Sequence, residues 1–151
     1  MKPVLQALVL ADRVYEDKTG KKIIAGTFDA VLYKRSVDLV EERELPGGGT
    51  GQFIPGGVHS GSPWAYISIT DAVDGTELTL QFVNLTKNAV LLETKIVIQC
   101  KDRLRTIEIV APLPPLPISE DGIYALEVVC EGEILGSHRI IARELQPPSE
   151  E

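Results

Sequence analysis

Two cysteines and two histidines are all that 151 residues supply for thiol, imidazole or metal chemistry. Cys100 and Cys130 belong to no Cys-x-x-Cys pair, so their spacing supports neither a redox couple nor a zinc site, and both are expected to be free, largely buried thiols. His59 and His138 lack acidic or cysteine neighbours at metal-ligand spacing, and His138 reads as a surface residue on a strand. Positive charge is short as well. Lys+Arg 15 against Asp+Glu 22 leaves a net charge of −7 and a pI near 4.9, which argues against nucleic acid or an anionic membrane as a partner.

Long apolar runs are missing too. The stretch Val4 to Ala11 follows Lys2-Pro3, but it is far too short to cross a bilayer, and Asp12-Arg13 follows it with no small-x-small cleavage site. It is expected to be the buried first strand of a cytoplasmic protein without a disulfide framework. Signatures of catalysis are equally sparse. No Gly-x-Ser-x-Gly elbow occurs, and Ser60 and Ser62 are near His59 in sequence only. The Gly-rich stretch from Gly47 to Gly61 has no Gly-Lys-Ser/Thr after it and no βαβ unit around it, so it is not read as a phosphate cradle. No catalytic residue, metal ligand or cofactor is assigned.

What the chain does contain is β-branched side chains. Val 14, Ile 14 and Thr 9 make up nearly a quarter of it, and 13 Gly with 10 Pro punctuate it at short intervals, the composition of many strands joined by turns. Val4–Val14 and Lys22–Tyr33 read as an antiparallel pair around a polar turn, with a bulge or bend at Gly26. Further strands are expected at 64–70, 77–84, 89–99, 104–111, 123–131 and 134–143. In 77–84, Leu78, Leu80 and Phe82 mark the core face. Pro112, Pro114, Pro115 and Pro117 confine their stretch to a sheet edge or a crossover. The expected fold is an all-β, antiparallel two-sheet sandwich of about seven or eight strands. One domain spans 1–145, and 146–151 reads as a disordered tail.

The rhythm breaks after the second expected strand, where 36–61 forms a long insertion. Ser36 to Glu44 is compatible with one or two helical turns, and seven of the seventeen residues from Leu45 to Gly61 are glycine. Phe53, Ile54, Val58 and His59 in this insertion are the candidate protein-binding residues, because apolar and aromatic side chains on a loop suit an interface. Trp64, at the start of a patterned strand, is expected to pack in the core. Asp71, Asp74, Asp102, Glu120 and Asp121 fall at expected turns, where turn formation accounts for them more simply than calcium.

The run Glu120-Asp121-Gly122-Ile123-Tyr124 resembles the tyrosine corner of immunoglobulin-like sandwiches, which gives Gly122 and Tyr124 structural roles. Leu126 stands where secreted members carry cysteine, as suits a disulfide-free version. With Ala11-Asp12-Arg13-Val14, Ala25-Gly26-Thr27-Phe28-Asp29, Leu113-Pro114-Pro115-Leu116-Pro117 and the final hairpin to Arg143, the chain resembles an uncharacterised bacterial family of small immunoglobulin-like β-sandwich proteins, a domain of unknown function. The resemblance implies the fold and no activity.

The function expected from these residues is a non-enzymatic interaction or assembly module, using the 36–61 insertion or a sheet edge to bind protein or a second copy. The competing expectations are a metal-dependent ligand binder or enzyme using His59 and the loop carboxylates, and a structural subunit of a larger particle.

Overall fold

The computed structural model describes residues 2–33, 41–44, 50–53 and 62–144, with 41–44 and 50–53 described for their backbone alone. Eleven strands and no helix occur among them: β1 (Val4–Glu16), β2 (Lys22–Thr27), β3 (Ala30–Tyr33), β4 (Glu41–Glu44), β5 (Thr50–Phe53), β6 (Trp64–Thr70), β7 (Glu77–Asn84), β8 (Ala89–Val97), β9 (Ile107–Pro112), β10 (Gly122–Cys130) and β11 (Glu133–Glu144). One sheet has the order β2-β1-β6-β9 and is antiparallel throughout. The other has the order β3-β11-β10-β7-β8, with only β3 and β11 parallel, and β4 pairs with β5 alone.

Period-two alternation decides which side of each strand is buried. Ala65, Ile67 and Ile69 of β6 share one core with Leu78, Leu80 and Phe82 of β7 and Tyr124, Leu126 and Val128 of β10. Full burial of each large aliphatic or aromatic side chain contributes roughly 1.5–3 kcal/mol, so this shared core holds the sheets together as a β-sandwich. The final hairpin closes as its sequence predicts, with Glu131 and Gly132 both at positive φ (51° and 79°), the geometry of a type I′ turn.

Three expectations need correction. Lys22–Tyr33 is not one strand. Gly26 adopts φ +76°, and β2 ends at Thr27, after which β3 leaves the first sheet to run parallel with β11 in the second. The two sheets therefore hold nine strands where about seven or eight were expected, and the insertion follows the third strand, not the second. His138 secures the change of sheet. Its Nδ1 accepts the Leu10 N–H at 3.4 Å and its Nε2 lies 2.8 Å from the Phe28 carbonyl, so the tautomer with hydrogen on Nε2 satisfies both contacts. The half-buried imidazole links β11 to β1 and to the β2–β3 junction and is not a surface residue. Third, Glu41–Glu44, compatible in sequence with helical turns, is a strand paired with Thr50–Phe53. The other residues of 36–61, and the 145–151 tail, lie outside the described residues.

Pro112 ends β9, and the proline-rich stretch crosses from the first sheet to the second. Leu113, Leu116 and Ile118 pin the crossing to the core, and the Leu113 N–H donates to the Pro63 carbonyl at 2.9 Å.

Candidate functional site

β8 ends the five-stranded sheet and β9 ends the four-stranded one, and among the described residues neither has a second strand partner. Between these two edges the sandwich is open. A cleft of about 500 Å³ lies there, with Leu80, Phe82 and Leu126 as its floor, Leu92 and Ile96 on the β8 side and Ile109 on the β9 side. Register explains the lining. Leu92, Thr94 and Ile96 oppose Phe82, Leu80 and Leu78 and so face inward with them, while Ile107, Ile109 and Ala111 oppose the inward residues Ile69, Ile67 and Ala65. Thr94 is the single polar side chain in that inward set from β8, and it is exposed at the mouth of the cleft.

The two edges differ in charge. Glu93-Thr94-Lys95 occupies the middle of β8, where Lys95 pairs with Glu77 at 3.5 Å, and such charges discourage strand addition. β9 carries one charged side chain, Glu108, which accepts a 2.5 Å hydrogen bond from the Tyr66 hydroxyl. Burial, and then Glu108 itself, raises the Tyr66 pKa, so the phenol stays protonated as the donor. Of the rest of β9, Ile107, Ile109, Val110 and Ala111 are apolar and half-buried, and the terminal Pro112 is exposed. An apolar, unpaired backbone edge beside an apolar cleft can receive an extended chain.

Of the candidate binding residues, Phe53 belongs to β5, where its backbone pairs with Glu41, whereas Ile54, Val58 and His59 lie outside the described residues. Trp64 is not a core residue. It alternates with Ala65, Ile67 and Ile69, which fill the interior, and so sits half-buried on the outer side of β6 between Ala11 and Pro112. Gly122 and Tyr124 occupy one corner of the sandwich. The Tyr124 ring is buried and stacked on Phe82 (5.5 Å, 11°), and its hydroxyl donates to the Glu120 carbonyl at 2.8 Å.

The same corner accounts for two carboxylates considered for calcium. Asp121 Oδ1 accepts from the Tyr33 hydroxyl at 2.7 Å and from the Glu144 N–H at 2.8 Å. Glu120 accepts from Asn84 Nδ2 at 3.0 Å and pairs with Lys87 at 2.8 Å. Asp74 and Asp102 cap loop N–H groups, those of Cys100 and Leu104. Among the described residues no three His, Cys, Asp or Glu side chains are grouped to hold a metal ion. Both cysteines are free. Burial pushes the Cys130 thiol pKa up, and the Cys100 thiol donates to the Ala72 carbonyl at 3.1 Å.

The cleft escaped sequence reasoning because its walls come from positions 80 to 126 and become neighbours only through sheet order. The available signal was the proline run after β9, which marks an edge. Compared with known proteins, the sequence matches no family model and no curated protein. No helix among the described residues is long and apolar enough to cross a membrane.

Proposed function

We propose that the chain is an immunoglobulin-like Greek-key sandwich acting as a cytoplasmic, non-enzymatic interaction module that takes an extended segment of a partner protein along β9. The observation that carries this reading is the apolar, singly charged β9 edge beside the open cleft. A strand added there would pair its backbone with β9 and lay every second side chain over Ile109, Phe82 and Leu126. Strand order favours the immunoglobulin-like assignment. β6 lies beside β9 in one sheet while β7 lies beside β10 in the other, so the β6–β7 and β9–β10 connections both cross between sheets. The hydrogen bond from Tyr124 to Glu120, at the start of β10, is that of a tyrosine corner. Kinship with the small bacterial sandwich family is proposed on the sequence motifs alone.

The test is a peptide-display selection against the full chain, followed by binding to Thr94→Trp. Thr94 is exposed at the cleft mouth, so an indole there fills the cleft while leaving the core intact. Selected peptides are expected to alternate apolar residues and to lose roughly tenfold or more in affinity on this variant. Unchanged affinity would move binding to the 36–61 insertion and its residues Phe53, Ile54, Val58 and His59.

A further inference from the structure

Register fixes which backbone groups β9 still has to offer. The Leu113 N–H donates to the Pro63 carbonyl, so the pairs Ala111–Ala65, Ile109–Ile67 and Ile107–Ile69 exchange hydrogen bonds between β9 and β6. The N–H and C=O groups of Glu108 and Val110 therefore point away from β6 into the open edge. Pro112, at the end of the strand, adds a carbonyl there but no N–H, the position in which a strand tolerates proline. A guest strand takes its hydrogen bonds from Glu108 and Val110, and the side chains it sets beside these two lie on the outer side of the four-stranded sheet.

The two sides of such a guest meet opposite chemistry. Toward the cleft lie Leu80, Phe82, Leu126 and Ile109, where a charged side chain would be buried unpaired. On the outer side stands Glu108, the one charged side chain of β9. It is exposed, held in place by the Tyr66 hydroxyl, and forms no ion pair among the described residues. Within the strands the nearest cation on that side, Arg13, is three rows away, and Arg105, in the loop before β9, forms no ion pair with Glu108. The row beside Glu108 holds Val110 and Tyr66, both half-buried, a floor for the stem of a long side chain. We infer, building on extended-segment binding along β9, that the partner segment alternates apolar residues with lysine or arginine, the apolar set entering the cleft and a cation pairing with Glu108. The net charge of −7 draws such a segment in, and an acidic residue beside Glu108 is repelled.

Two synthetic nine-residue peptides test it, one alternating valine with lysine and the other valine with glutamate, each titrated against the full chain by fluorescence anisotropy. The lysine peptide is expected to bind roughly fivefold tighter, and Glu108→Lys to reverse the order. Glu108→Gln, which keeps an acceptor for the Tyr66 hydroxyl, is expected to abolish the preference and serves should the lysine variant misfold. Glu131→Lys makes the same change of net charge at an exposed site in the β10–β11 turn and is expected to leave the preference intact. Equal affinities, or a preference that both Glu108 variants retain, overturn the inference; extended-segment binding survives that result where Thr94→Trp still weakens both peptides. A preference lost equally in Glu131→Lys also overturns it, because net charge alone would then be at work. If neither peptide binds, the inference and extended-segment binding fall together.

Discussion

Phe82→Ala is expected to lower the unfolding free energy by about 3–5 kcal/mol. The ring is fully buried in β7, stacks on Tyr124 and forms part of the cleft floor. Truncation removes its transfer free energy and leaves a void, and the stacked contact with Tyr124 adds roughly 0.5–1.5 kcal/mol to what is lost. Because the void joins an open cleft, neighbouring side chains and solvent can partly fill it, which places the cost toward the lower end of the range. At roughly 2–4 °C per kcal/mol for a chain of this size, the midpoint should fall by about 10 °C. Urea unfolding followed by fluorescence and circular dichroism measures the effect, with the denaturant slope unchanged if the native state stays compact. A loss below about 1 kcal/mol would mean that Phe82 is not central to packing. Phe82→Leu, which retains most of the volume, should cost roughly 1.5 kcal/mol or less.

That Phe82 is a core residue was legible from the alternation Leu78, Leu80, Phe82, and the final hairpin from its Glu131-Gly132 turn. These signals are local, so the sequence carries them directly. Trp64 shows where they stop. β6 has an apolar set on each side, and alternation alone cannot say which one turns inward; the aliphatic Ala65, Ile67 and Ile69 do so because they mesh with β7 and β10 across the sandwich. The break between β2 and β3 was hidden for a related reason. Gly26 signalled a bend, but the transfer of Ala30–Tyr33 to the second sheet depends on β11 and on the His138 contacts, more than a hundred positions away in sequence. The candidate site follows the same logic. A cleft between the edges of two sheets has no sequence signature of its own, whereas the charges that distinguish β8 from β9 are visible once the edges are known.

Gly122→Val tests the corner that holds the second sheet to the crossover. A Cβ at this position would lie 2.9 Å from Thr86 Oγ1 and 3.5 Å from Thr86 Cβ, with the Tyr124 ring 3.8 Å away. Thr86 cannot withdraw without cost, because its hydroxyl accepts the Ile123 N–H at 3.1 Å while the Leu85 N–H donates to the Ile123 carbonyl at 2.8 Å. Overpacking of this kind costs roughly 1–3 kcal/mol and each lost hydrogen bond about 0.5–1.5 kcal/mol more, so a total on the order of 3 kcal/mol is expected. Tyr124→Phe separates the hydroxyl from the packing. It keeps the ring on Phe82 and removes only the donor to Glu120, at an expected cost of about 1–2 kcal/mol near neutral pH. The phenol also makes this corner sensitive to alkali. Burial, and then the charge on Glu120, raises the Tyr124 pKa above its ordinary value of 10.0, so the folded state favours the protonated form. This contribution is complete below the unfolded tyrosine pKa and is lost as pH rises through the higher folded value. The stability gap between wild type and Tyr124→Phe should therefore narrow above about pH 10, with Tyr66, shifted in the same direction, leaving a residual slope in both proteins. Denaturant midpoints measured from pH 7 into the alkaline range would reveal this, and a gap that stays constant would mean that the corner does not discriminate between phenol and phenolate.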